Sequence, residues 1–275
     1  MSEAQHDVER LTGYVEVWWQ AIDDFTALLE QLPEEEWSTP TDLPGWDVHA
    51  VAAHTAHLES LLAGGQHDEV EIGETDHVRS PMGTFTEQGV VARRDRSPDE
   101  LINEIRSSAT TRHTALLAEP PTDPSGTAPG LFGMIGWSTE ALLRNRPLDV
   151  WMHEQDVRRA VGRPGNLDGP AGVHSADYLA ESLGFVLAKK AGAPAGTTAV
   201  LEIDGHPPHA YTVNDQGRGE RLAEPPAEPT TRIAMSRGTF IELAGGRRTA
   251  ESGAVKIEGD TDLGQRLVHG LAVTP

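Results

Sequence analysis

The sequence predicts an α plus α+β fold, with a bundle of four long helices over residues 1–165 and a small α+β domain over residues 166–275. In the first part, apolar residues recur every three or four positions over four long stretches, which is the period of an amphipathic helix. All six tryptophans also lie there. In the second part, short apolar and β-branched runs alternate with turn residues, as in a small sheet. A chain of 275 residues is long enough for two domains with separate cores.

The four predicted helices of the bundle have recognisable ends. They cover about residues 8–31, 47–63, 97–118 and 138–161, and residues 83–92 are predicted to begin a further helix. Asp47 stands at the N-cap of the second helix, and Ser97 followed by Pro98 begins the third. Pro147 is predicted to kink or restart the fourth helix, because proline removes a backbone hydrogen bond from a helix interior.

The second part is predicted to hold one long helix, four strands and two short helices. The long helix covers about residues 172–190, the strands 198–203, 209–213, 231–234 and 255–258, and the short helices 236–244 and 262–271. Turn dipeptides such as Asp-Gly at residues 204–205 and Asn-Asp at 214–215 separate the strands. The boundary between the two parts is predicted near residues 164–170.

The charge of the chain excludes several classes of partner. Twenty-two Lys+Arg stand against 43 Asp+Glu, for a formal net charge of −21. Such a surface repels nucleic-acid phosphates and anionic lipids, so neither nucleic acid nor membrane is an expected partner, and solubility is the simplest role of the acidity. The amino terminus is polar, and no run approaches the roughly 18 apolar residues of a membrane span, which predicts a cytoplasmic protein.

Cysteine is absent from the chain, and so are two common catalytic motifs. Without cysteine there is no disulfide, no thiolate metal ligand and no cysteine nucleophile, and thiol chemistry needs an external thiol. The glycines form no phosphate-binding loop, and no G-x-S-x-G sequence is present. Candidate functional residues are therefore sought among the histidines, carboxylates and arginines.

Three residues of the helical part are candidates for a metal site: His54 on the second predicted helix, and Asp149 and His153 on the fourth. The spacing of four between Asp149 and His153 places both on one helix face. Two imidazoles and a carboxylate from two helices can hold one divalent ion and leave coordination positions open, as a catalytic site requires. An alternative stays open at this point, namely a core histidine satisfied by a hydrogen bond and an unrelated polar pair on a helix surface.

Three neighbouring residues add further alternatives. His57 follows His54 by three residues and would make a two-histidine ligand set with it. Asp156 follows His153 by three residues, and it is expected either to accept the other ring N–H of that histidine or to be a solvated helix acid that pairs with Arg158 or Arg159. Arg247 follows a predicted short helix, where it either offsets the carbonyl end of the helix or clamps a carboxylate of a substrate.

Three short motifs stand in order along the chain. The first is Leu-Pro-Gly-Trp at residues 43–46, with His54 eight residues after the tryptophan. The second is carboxylate-x-x-x-His-x-x-Asp at residues 149–156, followed by Ala-x-Gly-Arg-Pro at residues 160–164. The third spans residues 239–247 and 255–260. Together they resemble the mycothiol-dependent maleylpyruvate isomerase family over essentially the whole chain.

This resemblance implies a DinB-like four-helix bundle followed by a small domain similar to sterol-carrier folds. It implies a divalent metal, with zinc as the first candidate, held by His54, Asp149 and His153. The family usually has glutamate where this chain has Asp149, whose side chain is one methylene shorter. Mycothiol is the implied thiol cofactor, and Arg247 is the candidate for binding an anionic group of mycothiol or of the substrate.

The expected function is that of a metal-dependent, mycothiol-using enzyme that acts on a small-molecule electrophile, as a thiol S-transferase or as a cis–trans isomerase. A divalent ion lowers the pKa of an external thiol and favours the thiolate at neutral pH. Addition of the thiolate to an activated double bond, rotation and elimination would isomerise cis to trans, whereas displacement of a leaving group would transfer the sulfur. The alternative is a non-catalytic protein of the same fold that binds a small molecule or a protein partner.

Overall fold

The computed structural model describes residues 2–73, 75–251 and 253–274, which belong to two units, Met1–Asn166 and Leu167–Pro275. The first unit is helical, and the second combines a mixed five-stranded sheet with helices. The predicted fold class is therefore confirmed. Within the described ranges, no helix is both long enough and apolar enough to span a membrane.

Four long helices close into a bundle in the first unit. Its elements are α1 (Glu3–Leu29), a 3₁₀ turn (Glu34–Ser38), α2 (Val48–Leu62), α3 (Pro81–Val91), α4 (Pro98–Ala118), α5 (Gly130–Met134) and α6 (Thr139–Ala160). Helix α1 packs against α4 and α6, and α2 packs against the same two helices. The core between them contains the fully buried Trp18, Phe25, Ile105 and Trp151. Removal of these large side chains from water is the main stabilising contribution to the bundle.

Two predicted helix starts are confirmed by their capping contacts. The Asp47 carboxylate accepts a hydrogen bond from the Ala50 amide at 2.8 Å at the start of α2. At the start of α4, the Ser97 hydroxyl accepts from the Glu100 amide at 3.3 Å, and the Glu100 carboxylate accepts from the Ser97 amide at 2.7 Å. These side chains satisfy backbone N–H groups that have no partner within the first helical turn.

The prediction for Pro147 is wrong in one respect, since α6 does not restart there. The helix is continuous from Thr139 to Ala160 with Pro147 inside it. Proline removes one backbone hydrogen bond, but the turns on both sides are held by burial of Leu143, Leu148 and Val150. The ligand candidates that follow Pro147 therefore stay in register with the first half of the helix.

Some short helices differ from the prediction or were missed. Helix α3 covers Pro81–Val91, close to the predicted residues 83–92. The 3₁₀ turn at Glu34–Ser38 and the five-residue α5 at Gly130–Met134 were not predicted. Such short segments have too few turns to show a helical period, and they form because neighbouring elements bury Trp37 and Phe132.

The second unit contains one mixed sheet with strand order β3-β2-β1-β4-β5. Its strands are β1 (Thr198–Ile203), β2 (His209–Val213), β3 (Gly219–Arg221), β4 (Thr231–Met235) and β5 (Val255–Gly259). Strand β1 is parallel to β4, and the other pairs are antiparallel. Four of these strands were predicted within one residue. The three-residue β3 was missed because it is too short for alternation to be visible.

The long helix predicted over residues 172–190 is divided. The chain forms α7 (Pro170–Ala180), a short turn α8 (Leu183–Phe185) and a π-helical turn (Val186–Lys190), followed later by α9 (Arg237–Ala244) and α10 (Thr261–Gly270). The division accompanies a close approach to the sheet. A methyl group at Gly184 would lie 2.7 Å from the Tyr211 ring, and one at Gly219 would lie 2.2 Å from the Gly184 carbonyl. Only glycine fits on both sides of this contact.

A chain of polar side chains joins α2, α3 and the segment between them. His57 Nε2 lies 3.1 Å from His67 Nδ1, and His67 Nε2 lies 3.0 Å from Gln88 Oε1. Gln88 donates its amide N–H to the Val70 carbonyl, so its oxygen is an acceptor. His67 therefore donates through Nε2 and accepts through Nδ1, and His57 donates through Nε2. The buried Nδ1 of His57 faces Gly89.

We expect Gly89→Ala to destabilise the protein strongly, because a methyl group there would lie 2.0 Å from Nδ1 of the His57 ring. Gly13→Ala in α1 is the matched control, since nothing lies within 4 Å of the corresponding position. Alanine is favoured over glycine in a helix interior by about 0.5–1 kcal/mol. Thermal unfolding should show a raised Tm for Gly13→Ala and a lowered Tm for Gly89→Ala. An unchanged Tm for Gly89→Ala would contradict the packing of His57 on α3.

We expect stability to fall on acidification partly because of His57. Burial, together with the charge of Arg93, lowers the pKa of this ring from 6.5 to about 3. Between these two pH values the unfolded chain binds a proton at His57 that the folded chain does not bind. The contribution of this neutral ring to stability is therefore fully present above pH 6.5 and decreases as the pH falls below that value. His57→Gln keeps an N–H donor and removes the titration. Its Tm should therefore change less than that of the wild type between about pH 7 and pH 5. Equal pH slopes for the two proteins would refute this assignment.

Candidate metal centre

Two helices of the bundle bring three potential ligands together. Helix α2 presents His54, and α6 presents Asp149 and His153 one turn apart. Their ligand atoms all lie within 4.8 Å of one another, and no other group of three such side chains in the described part of the chain is this close. The three residues singled out from the sequence thus share one site, and their role as metal ligands stays a prediction.

Asp149 lies between the two imidazoles. Its Oδ2 is 3.9 Å from His54 Nε2, and its Oδ1 is 3.8 Å from His153 Nε2. Both histidines are 6% exposed, whereas the Asp149 side chain is 23% exposed, so the site reaches solvent on the carboxylate side. Zn²⁺ bonds of about 2.0–2.2 Å in a tetrahedral arrangement separate ligand atoms by about 3.3 Å. The separations here reach 4.8 Å and are wider than this, while the two nitrogens and one oxygen are a donor set that zinc accepts.

The ring of His153 is oriented by Asp156. His153 Nδ1 lies 3.1 Å from Asp156 Oδ2, and Asp156 is fully buried. Arg159 donates to the other oxygen of Asp156 and also pairs with Asp42 at 2.7 Å. Because the carboxylate accepts a hydrogen bond from Nδ1–H, the lone pair of His153 lies on Nε2, which faces Asp149. Asp156 thus contacts both the histidine and an arginine, but its full burial contradicts the alternative of a solvated helix acid. Its role behind a metal-bound histidine stays a prediction.

The electrostatic surroundings favour a neutral His54 and an ionised Asp149. Burial lowers the pKa of His54 and outweighs the opposing effect of Asp149. Burial acts to raise the pKa of Asp149, but Arg146 and the two histidines lower it well below its usual range. Metals bind neutral imidazole and ionised carboxylate, so both groups are in the form that ligation requires.

Arg146 and Glu59 were not identified from the sequence. Arg146 Nη1 donates to Asp149 Oδ2 at 2.9 Å, and its Nη2 donates to Glu59 Oε1 at 2.6 Å. The spacing of three between Arg146 and Asp149 on a predicted helix was a usable indication of this contact. The partnership with Glu59, on α2, was not predictable, because it depends on how the two helices pack.

Trp46 of the Leu-Pro-Gly-Trp motif covers one side of the two histidines. Its ring lies 5.0 Å from the His54 ring and 6.2 Å from the His153 ring. Its Nε1 donates to Glu87 Oε2 at 2.9 Å, and His77 contacts the same oxygen at 3.1 Å. The motif is thus a structural wall of the candidate site.

The glycine of this motif is required by its conformation and its contact. Gly45 has a φ of +82°, which L side chains rarely adopt, and a methyl group there would lie 2.4 Å from the His77 ring. Trp46 also lines a groove of about 790 Å³, whose other walls include Trp37, Leu43 and Val90. The turn therefore places the indole between this groove and the histidine pair.

Two other candidates from the sequence make contacts of their own. His57 is engaged with His67 and packs on Gly89, so it does not form a ligand pair with His54. Arg247 belongs to the second unit and follows α9, where its Nη1 donates to the Gly245 carbonyl at 2.6 Å. This contact is the one expected of a residue that offsets the end of a helix. Its role as an anion clamp stays a prediction.

Comparisons with known proteins agree with the motifs. Residues 18–158 match the mycothiol maleylpyruvate isomerase N-terminal domain, and residues 173–266 match the MDMPI C-terminal domain. Two uncharacterized proteins of Mycobacterium tuberculosis, MT0041 and Rv0036c, are each 29% identical to this chain over 142 residues. The match covers 51% of this chain and 53% of each relative, so the chain spans about half the length of these curated relatives.

Solved structures with a similar fold include the mycothiol-dependent maleylpyruvate isomerase and a mutant of it. Each is similar over 94% of this chain and 96% of its own, with a TM-score of 0.56 and 18% sequence identity. At this identity the likeness concerns the fold. Membership is carried by the two domain matches, which follow each other along most of the sequence in the expected order. The chain therefore belongs to the mycothiol maleylpyruvate isomerase family.

Proposed function

We propose that this protein is a metal-dependent enzyme that uses mycothiol as an external thiol, either as an S-transferase or as a cis–trans isomerase of small electrophiles. The observation that carries the proposal is the convergence of His54, Asp149 and His153, whose ligand atoms lie within 4.8 Å of one another. The family supports the choice of thiol, since its description and the solved structures of similar fold refer to a mycothiol-dependent isomerase.

The residues around the cluster are arranged for such a role. A divalent ion held by the two histidines and the carboxylate would supply a Lewis acid that lowers the pKa of a thiol at its open position. Asp156 keeps the ligating lone pair of His153 on Nε2. Burial keeps His54 neutral, and Trp46 shields the two rings from water on one side.

The chemistry needs an external thiol, because the chain contains no cysteine. In an isomerase, the thiolate sulfur bonds to one carbon of an activated double bond, the resulting single bond rotates, and the C–S bond breaks to release the trans product and the thiolate. In a transferase, the C–S bond forms while the leaving group departs with the electron pair of its bond. Both reactions start from the same thiolate, so one site serves either.

A second candidate function is a non-catalytic binding protein of the same fold. The observation that favours it is the ion pair of Asp149 with Arg146 at 2.9 Å, which neutralises the carboxylate without a metal. Metal analysis separates the two functions. After zinc reconstitution, about one zinc per chain supports the enzyme, because three protein ligands make one site. Absence of bound zinc supports the binding protein.

We expect His54→Ala and His153→Ala each to remove most of the bound zinc, since a site with three protein ligands keeps only two. His113→Ala is the control, because this histidine stacks on Trp19 at 4.2 Å and is not part of the cluster. Zinc content is measured after reconstitution and removal of loosely bound metal, and circular dichroism verifies the fold. Stoichiometric zinc in the His54→Ala/His153→Ala double variant would disprove the ligand assignment.

We expect Arg247→Ala to leave zinc content unchanged and to lower kcat/KM for mycothiol-dependent turnover about ten- to a hundredfold. This is the effect of losing a charged hydrogen bond of about 1.5–3 kcal/mol. Arg247→Lys should show a kcat/KM between those of Arg247→Ala and the wild type, because lysine lacks the planar fork of arginine. Thermal unfolding and thiol-consumption kinetics are measured on the same preparation. A lower Tm with intact kcat/KM would show that Arg247 only offsets the end of α9.

A further inference from the structure

We infer that Arg146 is a positioning residue of the candidate metal centre, which holds the Asp149 carboxylate in place between the two candidate histidine ligands. The inference rests on the proposed function, since it assigns Arg146 a role toward the metal of that site. It concerns how the carboxylate is held, and it names a residue that contacts the candidate ligand Asp149 and is not itself one of the three candidate ligands.

The guanidinium of Arg146 contacts two carboxylates at once. Nη1 donates to Asp149 Oδ2 at 2.9 Å, and Nη2 donates to Glu59 Oε1 at 2.6 Å. Arg146 is 1% exposed, so water does not compete for these donors. Because the guanidinium is planar, the directions of its two contacts are fixed relative to each other. The contact with Glu59 therefore determines where Arg146 holds Asp149 Oδ2. In this position Asp149 Oδ1 lies 3.8 Å from His153 Nε2, and Oδ2 lies 3.9 Å from His54 Nε2.

Glu59 is itself held from two further helices. Its Oε1 accepts a hydrogen bond from Trp18 Nε1 at 3.1 Å, and its Oε2 lies 3.9 Å from Arg112 Nη1. Arg112 also lies over the Trp18 ring, 4.6 Å from its centroid. Trp18 is on α1, Glu59 on α2, Arg112 on α4 and Arg146 on α6. All four long helices of the bundle thus contribute to the support of Asp149.

The charges of this network balance. Two carboxylates, Glu59 and Asp149, stand against two guanidinium groups, Arg112 and Arg146. Burial acts to lower the pKa of Arg146, but the charges of the two carboxylates raise it overall. Burial lowers the pKa of Arg112 to about 10, which leaves it protonated at neutral pH. A buried ion network of this kind is stable only with its partners in place, so the position of Asp149 is tightly constrained.

A second ion pair on the same helix provides the comparison. Arg158 Nε donates to the buried Glu154 carboxylate at 2.7 Å, four residues apart on α6. Neither residue is among the three that form the cluster. If buried ion pairs of α6 act only through overall stability, substitution of Arg146 and of Arg158 should have comparable effects on metal affinity. If Arg146 acts through Asp149, only its substitution should weaken metal binding.

The test is the zinc dissociation constant, measured by chelator competition on the full-length chain. Arg146→Met should weaken zinc binding about 10- to 100-fold, which is the usual effect of losing a partner that orients a metal ligand. Arg158→Met should stay within about twofold of the wild type, because it orients no ligand. In the Asp149→Asn background the held carboxylate is gone, so Arg146→Met should cause no further loss. Arg146→Lys should bind zinc more tightly than Arg146→Met and less tightly than the wild type.

Folding is separated from positioning by a further variant. Arg146→Met leaves Glu59 without its closest cationic partner, so Glu59→Gln/Arg146→Met removes both charges together and should show the same loss of zinc affinity. Unchanged or tighter zinc binding in these variants overturns the inference, as does an equal effect of Arg146→Met in the wild type and in the Asp149→Asn background. Failure of the wild type itself to bind zinc refutes the proposed function, and the inference is then refuted as well because it depends on that function.

Discussion

The ion pair between Asp149 and the buried Arg146 is the constraint on which the candidate site depends. Moving a carboxylate away from water costs several kcal/mol unless an opposite charge and hydrogen bonds compensate. Arg146 supplies that charge at 2.9 Å, and it must be neutralised in turn by Glu59 at 2.6 Å. The buried Glu59 carboxylate is in turn stabilised by a hydrogen bond from Trp18 and by the charge of Arg112. These contacts link all four long helices of the bundle, so the packing of the helices also fixes the position of the Asp149 carboxylate.

The two candidate histidines are held in different ways. His153 is oriented by Asp156, which accepts its Nδ1–H at 3.1 Å. Burial lowers the pKa of His54 and keeps its ring neutral. Trp46 packs on both rings and is held by Glu87 on α3. The long helices thus supply the donor atoms, and the segment before α2 supplies a wall.

Much of this could be predicted from the sequence because it depends on local chemistry. Helical periodicity identified the four long helices, and the capping groups of Asp47 and Ser97 set the starts of two of them. The spacing of four on α6 placed Asp149 and His153 on one face. Contacts of this kind are made within one or two turns of a helix, where the order of residues determines which side chains meet.

Other features were set by contacts between distant parts of the chain. The division of the helix predicted over residues 172–190 accompanies the approach of Gly184 to Gly219 and Tyr211, which a helical period does not reveal. Pro147 did not restart α6, because packing on neighbouring helices outweighed the loss of one hydrogen bond. His57 had the spacing of a ligand, but its ring is hydrogen-bonded to His67 and has a structural role.

The sequence by itself determined the fold class, the residue types of the candidate site and the spacing of its two members on α6. The tertiary structure decided that His57 contacts His67 on the segment before α3, and that Glu59 on α2 anchors Arg146 on α6. The physical reason is that the energy of a buried charge depends on which groups surround it in space. Residues such as Glu59 and Arg146, which lie far apart along the chain, become partners only when the helices pack.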